Sequence, residues 1–127
     1  KYKCEKTNEY FKAKKTLRVW RFPKILIICI KRFTNYGQKI VNNIDIPIEN
    51  LDLKDYCDGY SKYKSKYNLI GVCNHSGGLG GGHYYAYCKN MNGKWYSYND
   101  SSVNEINKCN VVTNNASCLF YRNTELI

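Results

Sequence analysis

Histidine 83 stands between a glycine run, GGLGGG (Gly77–Gly82), and the strand-forming aromatics YYAY (Tyr84–Tyr87), with the tripeptide YND (Tyr98–Asp100) following a short turn. A side chain that takes and returns protons near neutral pH needs a defined tautomer, which a neighbouring amide or carboxylate supplies by accepting one ring N–H. Asn92-Gly93 is a hairpin signal, and folding there brings the start of the strand leaving His83 beside the end of the strand carrying Trp95. His83 is therefore expected opposite Asn99 or Asp100, within side-chain reach. A base with its orienting partner is the arrangement of nucleophilic catalysis. The glycines can bring backbone close to a ligand and change conformation at low steric cost, so the loop from Ser76 to Gly82 reads as a mobile gate beside the base. No G-x-x-x-x-G-K-[ST] motif is present and a strand follows the run, so it is not a phosphate cradle.

The elements that must position these residues are mostly strands. LRVW within Thr16–Phe22 alternates apolar and polar residues, and KILIICIKRF (Lys24–Phe33) reads as a more buried strand after Pro23. Gly37 centres a polar turn over Thr34–Lys39. Ile44–Ile48 suits a short edge strand because of Pro47. Glu49–Tyr56 predicts a helical turn or two with Asn50 as cap, and Cys57–Lys66 an exposed loop. Strands are expected over Tyr67–His75, His83–Lys89, Lys94–Asp100 and Ser117–Asn123, with a modest helix over Asn104–Asn115. The fold class is α+β, strand-rich, built on an antiparallel sheet.

Composition narrows the function classes. The chain has 127 residues, 43% hydrophobic and 15% aromatic, enough for a folded core. No apolar run approaches the roughly 20 residues of a membrane helix, so no membrane association is expected. The net charge is +10, but the lysines are spread along the chain, clustering only at Lys12–Lys15 and Lys62–Tyr67. A solvated basic surface is the preferred reading over a nucleic-acid interface. The seven cysteines are odd in number and scattered singly without a C-x-x-C pair. That pattern predicts free thiols in a reducing compartment, intracellular and either cytoplasmic or nuclear, and no complete zinc site. No metal or other cofactor is expected.

The ordered blocks LRVWRFPKILIICIKRF, YNLIGVCNHSG, GGHYYAY, KWYSYNDSSV and CLFYRN resemble the C-terminal half of the ubiquitin-specific protease catalytic domain, from Tyr2 to Arg122. The resemblance implies a papain-like cysteine protease fold, with residues 1–127 forming its palm and part of its fingers. It implies a deubiquitinating thiol protease that cuts after the C-terminal glycine of ubiquitin. His83 would be the general base and Asn99 its orienting partner, with Asp100 a second candidate for orienting the ring or polarising the oxyanion. His75, Gly81, Gly82, Tyr84 and Phe33 would border the channel for the ubiquitin tail. The expected partners are ubiquitin or ubiquitinated proteins and the upstream half of the same domain. Nothing matches the family's Gly-Asn block around the nucleophilic cysteine, so the thiol is expected outside this chain; the alternative is a catalytically inactive ubiquitin-binding or scaffold domain. In YKCEKTNEY, Thr7 takes the place of a second zinc-ligand cysteine after Cys4, which argues against a tetrahedral site there.

Overall fold

The central strand buries alternate side chains, and the alternation changes phase once. In the computed structural model, which describes residues 1–60 and 63–126, β5 runs from Lys66 to Gly78. Tyr67 and Leu69 point inward at odd positions, then Val72 and Asn74 at even ones, all 1% exposed or less. An irregularity between Leu69 and Gly71 absorbs the change: both the Leu69–Tyr121 and Gly71–Phe120 pairs are kept, leaving Ile70 as the extra residue. Such a bulge resets which residues face inward without ending the strand.

The shorter strands are arranged around it. β1 (Tyr2–Lys3) and β2 (Tyr10–Phe11) form a separate two-stranded ribbon. The main sheet contains β3 (Ile25–Cys29), β4 (Leu51–Asp52), β5, β6 (Gly81–Lys89), β7 (Trp95–Asn99), β8 (Ser102–Ile106) and β9 (Ala116–Asn123). Its order is β3-β9-β5-β6-β7-β8, with β4 also pairing β5, and all pairings are antiparallel. Leu119 and Tyr121 of β9 join Leu69 and Val72 in the core, capped by Phe22, Ile46, Cys57 and Val111 from the irregular segments. Two tyrosine hydroxyls tie proline-containing segments to the sheet: Tyr67 donates to the Pro23 carbonyl and Tyr121 to that of Pro47, each at 2.7 Å.

Several local expectations are corrected. Val19, in the alternating stretch before Pro23, makes only an isolated bridge to Cys57, because the segment caps the core edge with Phe22 rather than joining the ladder. β3 alternates exposed and half-buried residues; it is an edge strand of the sheet and only one face is covered. Ile44–Ile48 forms no strand, and Ile46 instead plugs the core. Asn50 is not a helix cap: it has φ +57° and precedes β4, and the 3-10 turn Lys54–Tyr56 follows. Within Cys57–Lys66, Cys57 and Ser65 are buried, while residues 61–62 lie outside the described residues. The helix expected over Asn104–Asn115 is replaced by the end of β8 and the 3-10 turn Lys108–Asn110, opened by Asn107 accepting from the Cys109 N–H. Among the described residues no helix is long and apolar enough to cross a membrane.

Candidate active site

Strand β6 carries His83 at a position set by its register with β5. The ladder pairs Ser76 with His83, Asn74 with Tyr85 and Val72 with Tyr87, so His83 lies on the core-facing side of the sheet, beyond the end of the core. The ladder continues through Gly77–Gly82 to Gly78–Gly81. The segment expected as a glycine-rich gate is therefore the end of a β-hairpin, with only Leu79 and Gly80 outside the pairing. Glycine is required at Gly77, which has φ +106° and where a Cβ would meet the Gly81 carbonyl oxygen at 2.7 Å. The same mixture of αL backbone and close strand approach excludes other residues.

β7 returns through a turn of Met91–Gly93 closed by the Asn90 and Lys94 backbones, with Gly93 at φ +82°. Its ladder with β6 runs from Lys89–Trp95 to Ala86–Tyr98 and stops. Continuing that register by one step would set Tyr85 opposite Asn99, which makes Asn99 the diagonal neighbour of His83 on the same face. The side chains meet there: His83 Nε2 lies 2.5 Å from Asn99 Oδ1. Amide oxygen only accepts, so neutral His83 donates from Nε2 and keeps its lone pair on Nδ1. Asp100, in the two-residue turn to β8, has φ +50° and sets Oδ2 3.9 Å from the same Nε2. At that distance its carboxylate acts on the ring as a charge rather than as a hydrogen-bond partner. The Tyr85 ring stacks near His83 at 6.4 Å between centroids and 19° between planes, and its hydroxyl accepts from Asn115 Nδ2 at 3.1 Å. The His83 side chain remains 47% exposed, open to a reacting group from outside the sheet.

His75 and Tyr84 pair directly across the hairpin and so lie on the opposite face from His83. His75 is buried, with its ring 4.6 Å from that of Tyr84 and 6.0 Å from that of Phe33. Lys39 donates to the His75 carbonyl, and the His75 N–H donates to that of Asn115. Phe33, His75 and Tyr84 line a cavity of about 80 Å³ shared with Arg32 and Lys39. Gly82 underlies this cluster: a Cβ there would lie closer than 3.0 Å to Nε2 and Cε1 of His75 and to the Ser76 carbonyl oxygen. Gly81 has open space around it. Apart from Gly81, the expected residues thus form two groups, His83 with Asn99 and Asp100 on one face, and Phe33, His75, Gly82 and Tyr84 on the other.

Tyr85, Lys39 and Asn115 were not anticipated as part of either group. Tyr85 follows from strand period, two residues after His83 on the same face. Lys39 and Asn115 reach the site through tertiary contacts that no local pattern contains. At the β1–β2 ribbon, the N–H and hydroxyl of Thr7 and the N–H of Lys6 bond the Cys4 sulfur and lower its pKa.

The ubiquitin carboxyl-terminal hydrolase family model matches residues 1–121. Ubiquitin carboxyl-terminal hydrolase 15 of Rattus norvegicus is 39% identical over 124 residues, covering 94% of this chain and 13% of that protein. Ubiquitin carboxyl-terminal hydrolase 10 of Arabidopsis thaliana is 40% identical, with the same coverage of both chains. Among solved structures, Ubp8 in a SAGA DUB module bound to monoubiquitin superposes with a TM-score of 0.80 at 32% identity, over 99% of this chain and 29% of that one. The same module bound to ubiquitin aldehyde gives 0.79 at 32% identity, over 99% of this chain and 30% of that one. The chain spans only a small part of the length of these relatives, yet nearly all of it is matched, and its strand-rich antiparallel sheet is that of the Ubp8 catalytic domain, a papain-like fold. The chain belongs to the ubiquitin carboxyl-terminal hydrolase family.

Proposed function

We propose that this chain supplies the base-bearing part of a cysteine-type deubiquitinase, which hydrolyses the bond after the C-terminal glycine of ubiquitin. The observation that carries the reading is the 2.5 Å contact between His83 Nε2 and Asn99 Oδ1. Asn99 holds the tautomer in which Nδ1 can accept a thiol proton. The resulting thiolate attacks the carbonyl carbon of the ubiquitin glycine, and the imidazolium returns the proton to the leaving amine. Water then hydrolyses the thioester with His83 again as base. Asp100, 3.9 Å from Nε2, is a second group placed to orient the ring or to polarise the oxyanion. Gly81, Gly82 and Tyr84 border the ubiquitin tail, with His75 and Phe33 supporting Tyr84 from beneath. The nucleophilic cysteine is assigned to sequence outside this chain, in keeping with the much greater length of its relatives. Solved relatives holding monoubiquitin and ubiquitin aldehyde support ubiquitin as the partner, and the scattered free thiols support an intracellular setting.

The test is hydrolysis of ubiquitin carrying a C-terminal fluorogenic amide by the full-length protein and its His83→Ala variant. Turnover by the parent and its loss in the variant, with ubiquitin still bound, are expected. Ubiquitin binding without turnover in the parent would instead identify a binding domain and overturn the proposal.

A further inference from the structure

Cys29 and Cys118 face each other across β3 and β9, on the sheet face opposite the core. Their Sγ atoms are 3.6 Å apart. The ladder determines what kind of pair this is. Ile30 N–H donates to Ser117 O at 2.8 Å and Asn123 N–H to Lys24 O at 2.9 Å. Hydrogen-bonded pairs therefore fall at 30/117 and every second pair along the ladder, and Cys29/Cys118 is a non-hydrogen-bonded pair. Such pairs bring Cα atoms to about 4.5 Å, inside the roughly 4.4–6.8 Å window a disulfide spans. Cys73 also pairs Cys118, from the β5 side. Amide groups alternate sides along a strand, so that pair is a hydrogen-bonded one, with Cα atoms about 5.5 Å apart and side chains farther from each other.

The geometry points to Cys29 and Cys118 as a reversible dithiol–disulfide site, oxidised by exchange with a low-molecular-weight disulfide. This inference is independent of the hydrolase reading. Cys29 is the entry point: it is exposed, on edge strand β3. Cys118 is partly buried and its thiol is pushed up to about 11, by burial first and by Cys29 second, so it resides as a protonated resolving partner. In the first step the Cys29 thiolate attacks one sulfur of the small disulfide, giving a mixed disulfide and releasing one small thiol. In the second, the Cys118 sulfur loses its proton and attacks the Cys29 sulfur, forming the cross-strand bond and releasing the second small thiol. The two protein thiols give up two electrons and two protons, and the small disulfide takes up both.

The experiment incubates the protein with glutathione disulfide, alkylates remaining thiols, digests with trypsin and maps the peptides by mass spectrometry. The expected product joins peptide 25–31 to peptide 109–122, two hydrogens lighter than the sum of the free-thiol peptides, and disappears on reduction. A Cys109→Ser background places the link on Cys118. Cys29→Ser should abolish the product, while Cys118→Ala should leave glutathione trapped on Cys29. A Cys73–Cys118 link, glutathione on Cys29 without progression to the cross-strand bond in the parent, or two unmodified thiols would each overturn the inference.

Discussion

His83 and Asn99 meet at a level of the sheet where their strands no longer pair. The β6–β7 ladder ends at Ala86–Tyr98, yet His83 Nε2 reaches Asn99 Oδ1 at 2.5 Å across the diagonal. Beyond that last pair, β6 continues against β5 alone, through to Gly78–Gly81. The edge of β6 next to His83 is therefore free of strand pairing while the imidazole is held on its far nitrogen. The His83 side chain stays 47% exposed at this edge.

Removing the proposed base should be costly. His83→Ala is expected to lower kcat by about 10²–10⁴-fold, the usual contribution of a positioned acid–base group. Asn99→Ala should lose less, because Asp100, 3.9 Å from the same nitrogen, or water can partly orient the ring. Asn99→Asp should keep most activity, since a carboxylate oxygen can accept the same N–H. Steady-state kinetics on a ubiquitin amide decide it, and an Asn99→Asp variant as inactive as His83→Ala would contradict the orienting role.

The two glycines before His83 should respond differently to alanine. Gly81→Ala meets open space, whereas Gly82→Ala drives a methyl into His75 and the Ser76 carbonyl. Backbone and a buried ring cannot both yield, so Gly82→Ala should destabilise by about 1–3 kcal/mol, in the range of overpacked sites. Its KM should rise through displaced Tyr84. Chemical denaturation of the two variants separates them; equal midpoints would remove the close-approach argument.

Arg32 should behave as a structural staple. It is 4% exposed, with Nε donating to Ala116 O at 2.9 Å and Nη1 to Ile40 O at 3.2 Å and Asn42 O at 2.7 Å. Arg32→Ala leaves the buried Ala116 carbonyl without this partner, at about 1–3 kcal/mol, and also removes the part-buried bonds to Ile40 and Asn42. Arg32→Lys should rescue poorly, because one ammonium cannot reproduce the planar fork. Thermal unfolding of both variants tests this, and near-parent stability of Arg32→Lys would show that charge alone suffices.

What the sequence conveyed was the part encoded by period and turn chemistry. The strand starts around β5, β6, β7 and β9 follow from alternation, and the His83–Asn99 meeting follows from one hairpin turn. The misread segments share a cause. Asn104–Asn115 and Glu49–Tyr56 have helix-compatible composition, but tertiary pairing of β8 with β7 and of β4 with β5 overrode it. The bulge at Ile70 was invisible because a one-residue phase change looks the same as imperfect alternation. The split of site residues between two faces, with Phe33 and His75 behind the strand that carries His83, depended on the β5–β6 register, which only the closed hairpin fixes.

Acid stability should depend on one link between β4 and the start of β5. The Asp52 carboxyl is held below its usual range, first by the Ser65 hydroxyl and then by the Lys54 N–H. A depressed folded pKa stabilises the fold above the unfolded value near 3.9 and is lost as pH falls through the lower folded value. Ser65→Ala should therefore lower the unfolding midpoint at pH 6 more than at pH 2.5, narrowing the difference between variant and parent as acid is added. A constant difference across that range would show that the hydroxyl contributes only through packing.

The last prediction concerns where the thiol resides. Catalytic thiolates form beside an imidazolium or another positive group and are inert when buried in apolar surroundings. Cys57 is 1% exposed, burial pushes the Cys88 thiol up, and Cys118 is pushed up to about 11. Cys4 has its pKa lowered, but it belongs to the β1–β2 ribbon, a sheet separate from the one that carries His83. Exposed Cys29 lies on β3, separated from β6 by β9 and β5, and exposed Cys109 lies in the 3-10 turn after β8. A ubiquitin probe with a cysteine-directed electrophile at its C-terminus, applied to the full-length protein, should label a peptide outside residues 1–127. The label should diminish sharply in His83→Ala. Labelling that requires His83 and maps to any of these seven cysteines would move the nucleophile into this chain and refute the division of labour proposed for it.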